Sequence, residues 1–215
     1  MLARSNSRQR AQTKRFYITN MPISLRRLSI IAILFVIVVI GYFARLGLSS
    51  DVVPPAFREA RQQSSIIAQD IVNTSNAISG DLVEVNRLDQ ANQPREALAL
   101  TAGLIQKTQE IKLKAASLSA ELEKMASTLT EIKSEPARQE AIKSITNRMA
   151  LIGRLLSYSN YVLDLAKVLE DRFREVPNEQ NPTVLIAQIN AEVTAINNFN
   201  REAAEALDRF DQYSR

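Results

Sequence analysis

The run Leu28–Ala44 constrains this chain more than any other feature. It holds 17 consecutive uncharged residues, LSIIAILFVIVVIGYFA, and nothing later in the sequence approaches it. A spanning helix needs roughly 20 apolar residues at ~1.5 Å each. Extending the run to Leu48 reaches that length, provided the Arg45 guanidinium snorkels to the interface. The sequence therefore predicts a transmembrane helix over 28–48. The competing reading is a cleaved signal peptide, with small residues at Gly47-Leu48-Ser49 as the cleavage site. A basic region of 27 residues before the run, and a run longer than the ~7–15 residues of a signal peptide's apolar segment, favour the anchor.

Charge sets the orientation. Before the span stand Arg4, Arg8, Arg10, Lys14, Arg15, Arg26 and Arg27, without a single Asp or Glu. Short basic flanks stay on the cytoplasmic side. The N-terminus is then inside, at a cell membrane crossed once, and the C-terminal domain is outside. Beyond residue 50 lie 19 Lys and Arg against 23 Asp and Glu, a net charge of −4. The overall +4 is the sum of two unlike parts, so the basic pI is no sign of nucleic-acid binding.

This divides the chain into a basic cytoplasmic tail (1–27), the transmembrane helix (28–48), a linker (49–55) and an extracytoplasmic domain (56–215). The chain has no Cys and no His. Disulfides, thiolate nucleophiles and Cys/His zinc sites are excluded, as is the commonest general base. The domain must be held by its own core, and its length suffices for one.

Proline punctuates that domain at Pro54-Pro55, Pro94, Pro136 and Pro182, and between these marks breakers are scarce. Proline suits the first helical turn, where its missing N–H costs nothing. Asn181-Pro182 reads as an N-cap and first helical residue. Helices are predicted at 56–91, 95–134, 137–176 and 183–213, with the first continuing through Ser79-Gly80-Asp81. Apolar residues step by three and four throughout, as in Ile142, Ile145, Met149, Ile152, Leu156 and Ser159 of the third helix. A mean step of 3.5 marks a coiled-coil-like seam. Short connections make neighbours antiparallel. The expected fold is all-α: an N-terminal transmembrane helix, then an up-down-up-down four-helix bundle.

Little in the sequence carries chemistry. Carboxylates fall on charge-laced outer faces, as in Glu121, Glu123 and Lys124. No phosphate-binding loop, nucleophile elbow or Ca²⁺ loop occurs. Asn73-Thr74-Ser75 matches a glycosylation sequon within a helix. No catalytic, metal or cofactor residue is nominated. One feature could form a site: polar residues interrupt the seam at Thr74, Thr108, Ser159 and Asn200, the first three at similar heights near mid-bundle and Asn200 somewhat lower, with Asn73, Asn76, Tyr158, Asn160, Tyr161 and Asn197 beside them. They are candidates for a polar cavity holding a small ligand. The competing reading makes them register devices, hydroxyls bonding back to their own helix and an Asn fixing alignment.

In layout, an anchor over 28–48 followed by an antiparallel four-helix bundle resembles the extracytoplasmic sensory bundles of bacterial chemoreceptors and histidine kinases. No motif carries the likeness, and fold analogy does not assign function. The sequence points to a non-enzymatic envelope module, in contact with the lipid bilayer and acting on other envelope proteins or on itself as scaffold, spacer or subunit, with no nucleic-acid partner. The alternative is a ligand-binding module that signals through a partner.

Overall fold

A computed structural model describes residues 53–214 of the chain. The basic tail and the span expected at 28–48 lie outside the described residues. Among the described residues no helix is long and apolar enough to cross a membrane.

The described chain is helical with no strand. It comprises α1 (Pro55–Gln90, 36 residues), α2 (Pro94–Ser127, 34 residues), a 3₁₀ turn (Leu129–Glu131), α3 (Glu135–Phe173, 39 residues) and α4 (Pro182–Tyr213, 32 residues). At 1.5 Å per residue these helices are ~50–60 Å long. Each opens on a proline in its first turn. At α4 the Asn181 side chain also accepts a hydrogen bond from the Thr183 N–H at 2.9 Å, as the sequence predicts. At α3 the cap is Ser134, whose hydroxyl accepts from the Ala137 N–H. α1 runs unbroken through Gly80, because the apolar spacing on both sides keeps one face on the core.

The second helix stops earlier than predicted. Thr128 folds its hydroxyl back onto the Met125 carbonyl at 2.9 Å, and a single 3₁₀ turn follows. Leu129 and Ile132 therefore cover the core from the connection rather than from α2, with Ile132 fully buried. Two connections close with a left-handed residue, Asn92 (φ 56°) and Glu175 (φ 58°). After each, an N–H reaches back five residues, Gln93 to the Leu88 carbonyl and Val176 to the Asp171 carbonyl.

Cross-helix pairs run in opposite senses along α1 and α2: Ser64 meets Met125, Asp70 meets Lys114 and Asp81 meets Lys107. Likewise α3 meets α4 at Glu140–Arg209, Ser144–Ala203 and Arg154–Glu192. The helices are thus antiparallel to their neighbours in sequence. Backbone packing joins α1 to α2, α2 to α3 and α3 to α4, whereas α1 and α4 stand further apart. They close at the end where the chain enters, through Phe57 and Phe210, whose ring centroids are 5.2 Å apart.

The third helix is central. It buries one stripe holding Ile145, Ile152 and Ser159 and another holding Leu151, Leu155 and Tyr158. That consumes its inner surface. Ile142, Met149 and Leu156, which the sequence places on the seam, instead lie on its outer side with 45, 41 and 41% of their surface exposed.

Candidate functional site

The four polar seam residues occupy different surroundings. Thr108 and Ser159 are fully buried, and each hydroxyl donates to the carbonyl four residues back, Leu104 at 2.6 Å and Leu155 at 2.8 Å. Those bonds satisfy the hydroxyls within their own helices and point at nothing across the bundle. Thr74 is half-buried. Its hydroxyl donates to the Asp70 carbonyl at 2.9 Å and accepts from Lys114 Nζ at 3.4 Å, on the α1–α2 side. Asn200 is half-buried on α4.

Among the described residues a concavity lies elsewhere, where α1 and α4 diverge. It is lined by Ser75, Asn76 and Ser79 of α1, Leu155 and Tyr158 of α3, and Val193 and Ile196 of α4. Its open space is about 330 Å³, continuous with solvent. Its enclosed part has room for about one or two waters. None of Thr74, Thr108, Ser159 or Asn200 lines it. Asn76 and Tyr158, two of the residues flanking them in the sequence reading, do.

The groove is apolar at its floor. Tyr158 is 5% exposed, and burial alone pushes its phenol far above the ordinary tyrosine range. A phenol held this way is neutral at any physiological pH and is no general base. Outside the groove lining, Asn197 Oδ1 on α4 is buried without a hydrogen-bond partner in the protein, as are Asn147 Nδ2 and Glu192 Oε2. Glu192 keeps a partner for its other oxygen, Arg154 at 3.5 Å.

Ser64, which the apolar spacing places on the seam of the first helix, is buried. Several other polar groups escaped the sequence reading: Ser65, Thr101, Ser144, Arg148 and Glu192 are all buried. Thr101 repeats the Thr108 pattern one heptad earlier, donating to the Ala97 carbonyl at 2.8 Å. Ser144 differs: its hydroxyl crosses to the Ala203 carbonyl of α4. The signal for that contact is small residues at matching heights on adjacent helices, Ser144 against Ala203. Among the described residues no cluster of three acidic side chains could hold a metal ion. Comparison with protein-family models, with curated proteins and with solved structures gives no match for this chain.

Proposed function

We propose that this chain is a single-pass, membrane-anchored envelope protein whose extracytoplasmic bundle acts through protein contacts, as a scaffold, spacer or complex subunit, and not as an enzyme. The N-terminus is cytoplasmic, the span is 28–48, and the helices pack along seven-residue seams in coiled-coil fashion. One observation carries the reading: Thr108 and Ser159, the two most deeply buried candidates of the polar seam, spend their hydroxyls on their own helices. They behave as register devices in a close-packed rod ~50–60 Å long. The basic tail and uncharged run supply the anchoring half of the argument.

Capture from detergent-solubilised membranes tests it. The full chain should retain envelope proteins that a chain lacking 56–215 loses. Identical captures from both would show that the bundle makes no contacts of its own.

A second reading, a small-molecule sensory bundle signalling through a partner, is favoured by the α1–α4 groove. Its ligand would be largely apolar, to match the Leu155, Val193 and Ile196 lining.

A further inference from the structure

We infer that a second copy of this chain packs in parallel against the outer side of α3, along Ile142, Met149 and Leu156. The orientation rests on the anchored reading given above; the face itself rests on the bundle alone.

The three side chains are seven residues apart, so they line one side of the helix over ~21 Å. Between them Thr146 and Gly153 are exposed, and an added Cβ at Gly153 would meet nothing within 4 Å. The strip is therefore open, small-sided and uncharged. Lys143 stands about 100° around the helix from Ile142, and Arg154 turns to Glu192 of α4.

The other seams are dressed differently. Ion pairs bridge α1 to α2 at Asp81–Lys107, α3 to α4 at Glu140–Arg209, and α1 to α4 at Arg61–Asp211. Across the outer side of α2 and α3 the contacts are Lys112 Nζ to Asn160 Oδ1 at 2.7 Å and Ser119 Oγ to Met149 Sδ at 3.9 Å. Solvated faces of a bundle carry charge, and an uncharged heptad stripe is what a helix needs to meet another helix.

The partner is a copy because the stripe is self-complementary. About a two-fold axis parallel to the bundle, each of the three residues meets its own counterpart, apolar on apolar. Two chains leaving one membrane by the same end can meet only in parallel. One ~20 Å helix pair buries well under the ~800 Å² per partner of a stable soluble dimer. Confinement to a shared membrane supplies the missing effective concentration.

The chain has no Cys, so single substitutions report cleanly. Ile142→Cys, Met149→Cys and Leu156→Cys are made in the full chain and oxidised in native membranes with copper phenanthroline. Ile66→Cys and Val83→Cys on exposed positions of α1 serve as controls. All three α3 variants should give a band at twice the chain's mass, at least tenfold above the controls. No excess over the controls overturns the pairing. A band from Met149→Cys alone overturns the side-by-side parallel pairing, since that pairing brings all three residues to their counterparts. Alkaline extraction of the same membranes reads anchoring separately: release of the chain defeats the anchored reading, whatever the cross-link pattern.

Discussion

The Arg61 guanidinium holds both carboxylate oxygens of Asp211, at 2.6 and 2.9 Å, across 150 residues of sequence. The same guanidinium lies 5.8 Å from the centre of the Phe210 ring. Together with Phe57 against Phe210, this fastens the last helix to the first at the one end where they meet. A two-pronged, charge-assisted contact on a partly buried Arg exceeds an exposed ion pair in strength. Asp211→Asn should cost about 1–2 kcal/mol. Amide exchange should quicken first in the final turns of α4, since those turns lose their tether. Uniform exchange along α4 would refute the local role.

Ser144 and Ser159 are both buried serines on α3 with opposite expected behaviour. Ser144 bonds across to Ala203 of α4, so Ser144→Ala should lose about 1 kcal/mol. Ser159 bonds only to its own helix, so Ser159→Ala and Thr108→Val should stay within about 1 kcal/mol of the parent or rise. Thermal unfolding followed by circular dichroism separates the two outcomes. A large loss for Thr108→Val would reveal a cross-helix role for its hydroxyl.

Backbone conformation offers two gains. Glu175 is exposed and held at φ 58°, a region that costs a residue with a Cβ ~1–2 kcal/mol. Glu175→Gly should stabilise by about 0.5–1 kcal/mol after the greater freedom of the unfolded chain is counted. At Gly80, inside α1, an added Cβ would touch nothing within 4 Å, and Gly80→Ala should add about 0.5–1 kcal/mol. Chemical denaturation with an unchanged slope measures both.

How far the sequence alone reached is clearest at particular residues. Proline at Pro94, Pro136 and Pro182 and the cap at Asn181 located the helices, because these constraints act within one turn. The end of α2 was hidden, since Leu129 and Ile132 continue the apolar steps while a 3₁₀ turn carries them. The exposed stripe of α3 was hidden for a related reason. A seven-residue spacing marks a buried side but does not say whether the same chain buries it. For the groove, azimuths were not legible. Two residues along a helix is about 200° of rotation, enough to put Thr74 beside Lys114 of α2 and Asn76 in the groove facing α4.

The buried phenol of Tyr158 makes stability depend on alkaline pH. Its folded pKa is raised by burial, so the folded state disfavours the phenolate. The stabilising effect of a neutral phenol is complete below the unfolded tyrosine value, near 10, and is lost as pH rises beyond it. Tyr158→Phe should therefore flatten the fall in stability above about pH 10. Parallel pH profiles for the parent and the variant would contradict the burial argument.

The central claim is that the bundle hangs outside the membrane from one N-terminal anchor, and protease treatment of intact spheroplasts tests it most directly. Protease added outside should remove an epitope placed after Arg215, while an epitope ahead of Met1 survives until the membrane is lysed. A protected C-terminal epitope with an accessible N-terminal one would contradict the account.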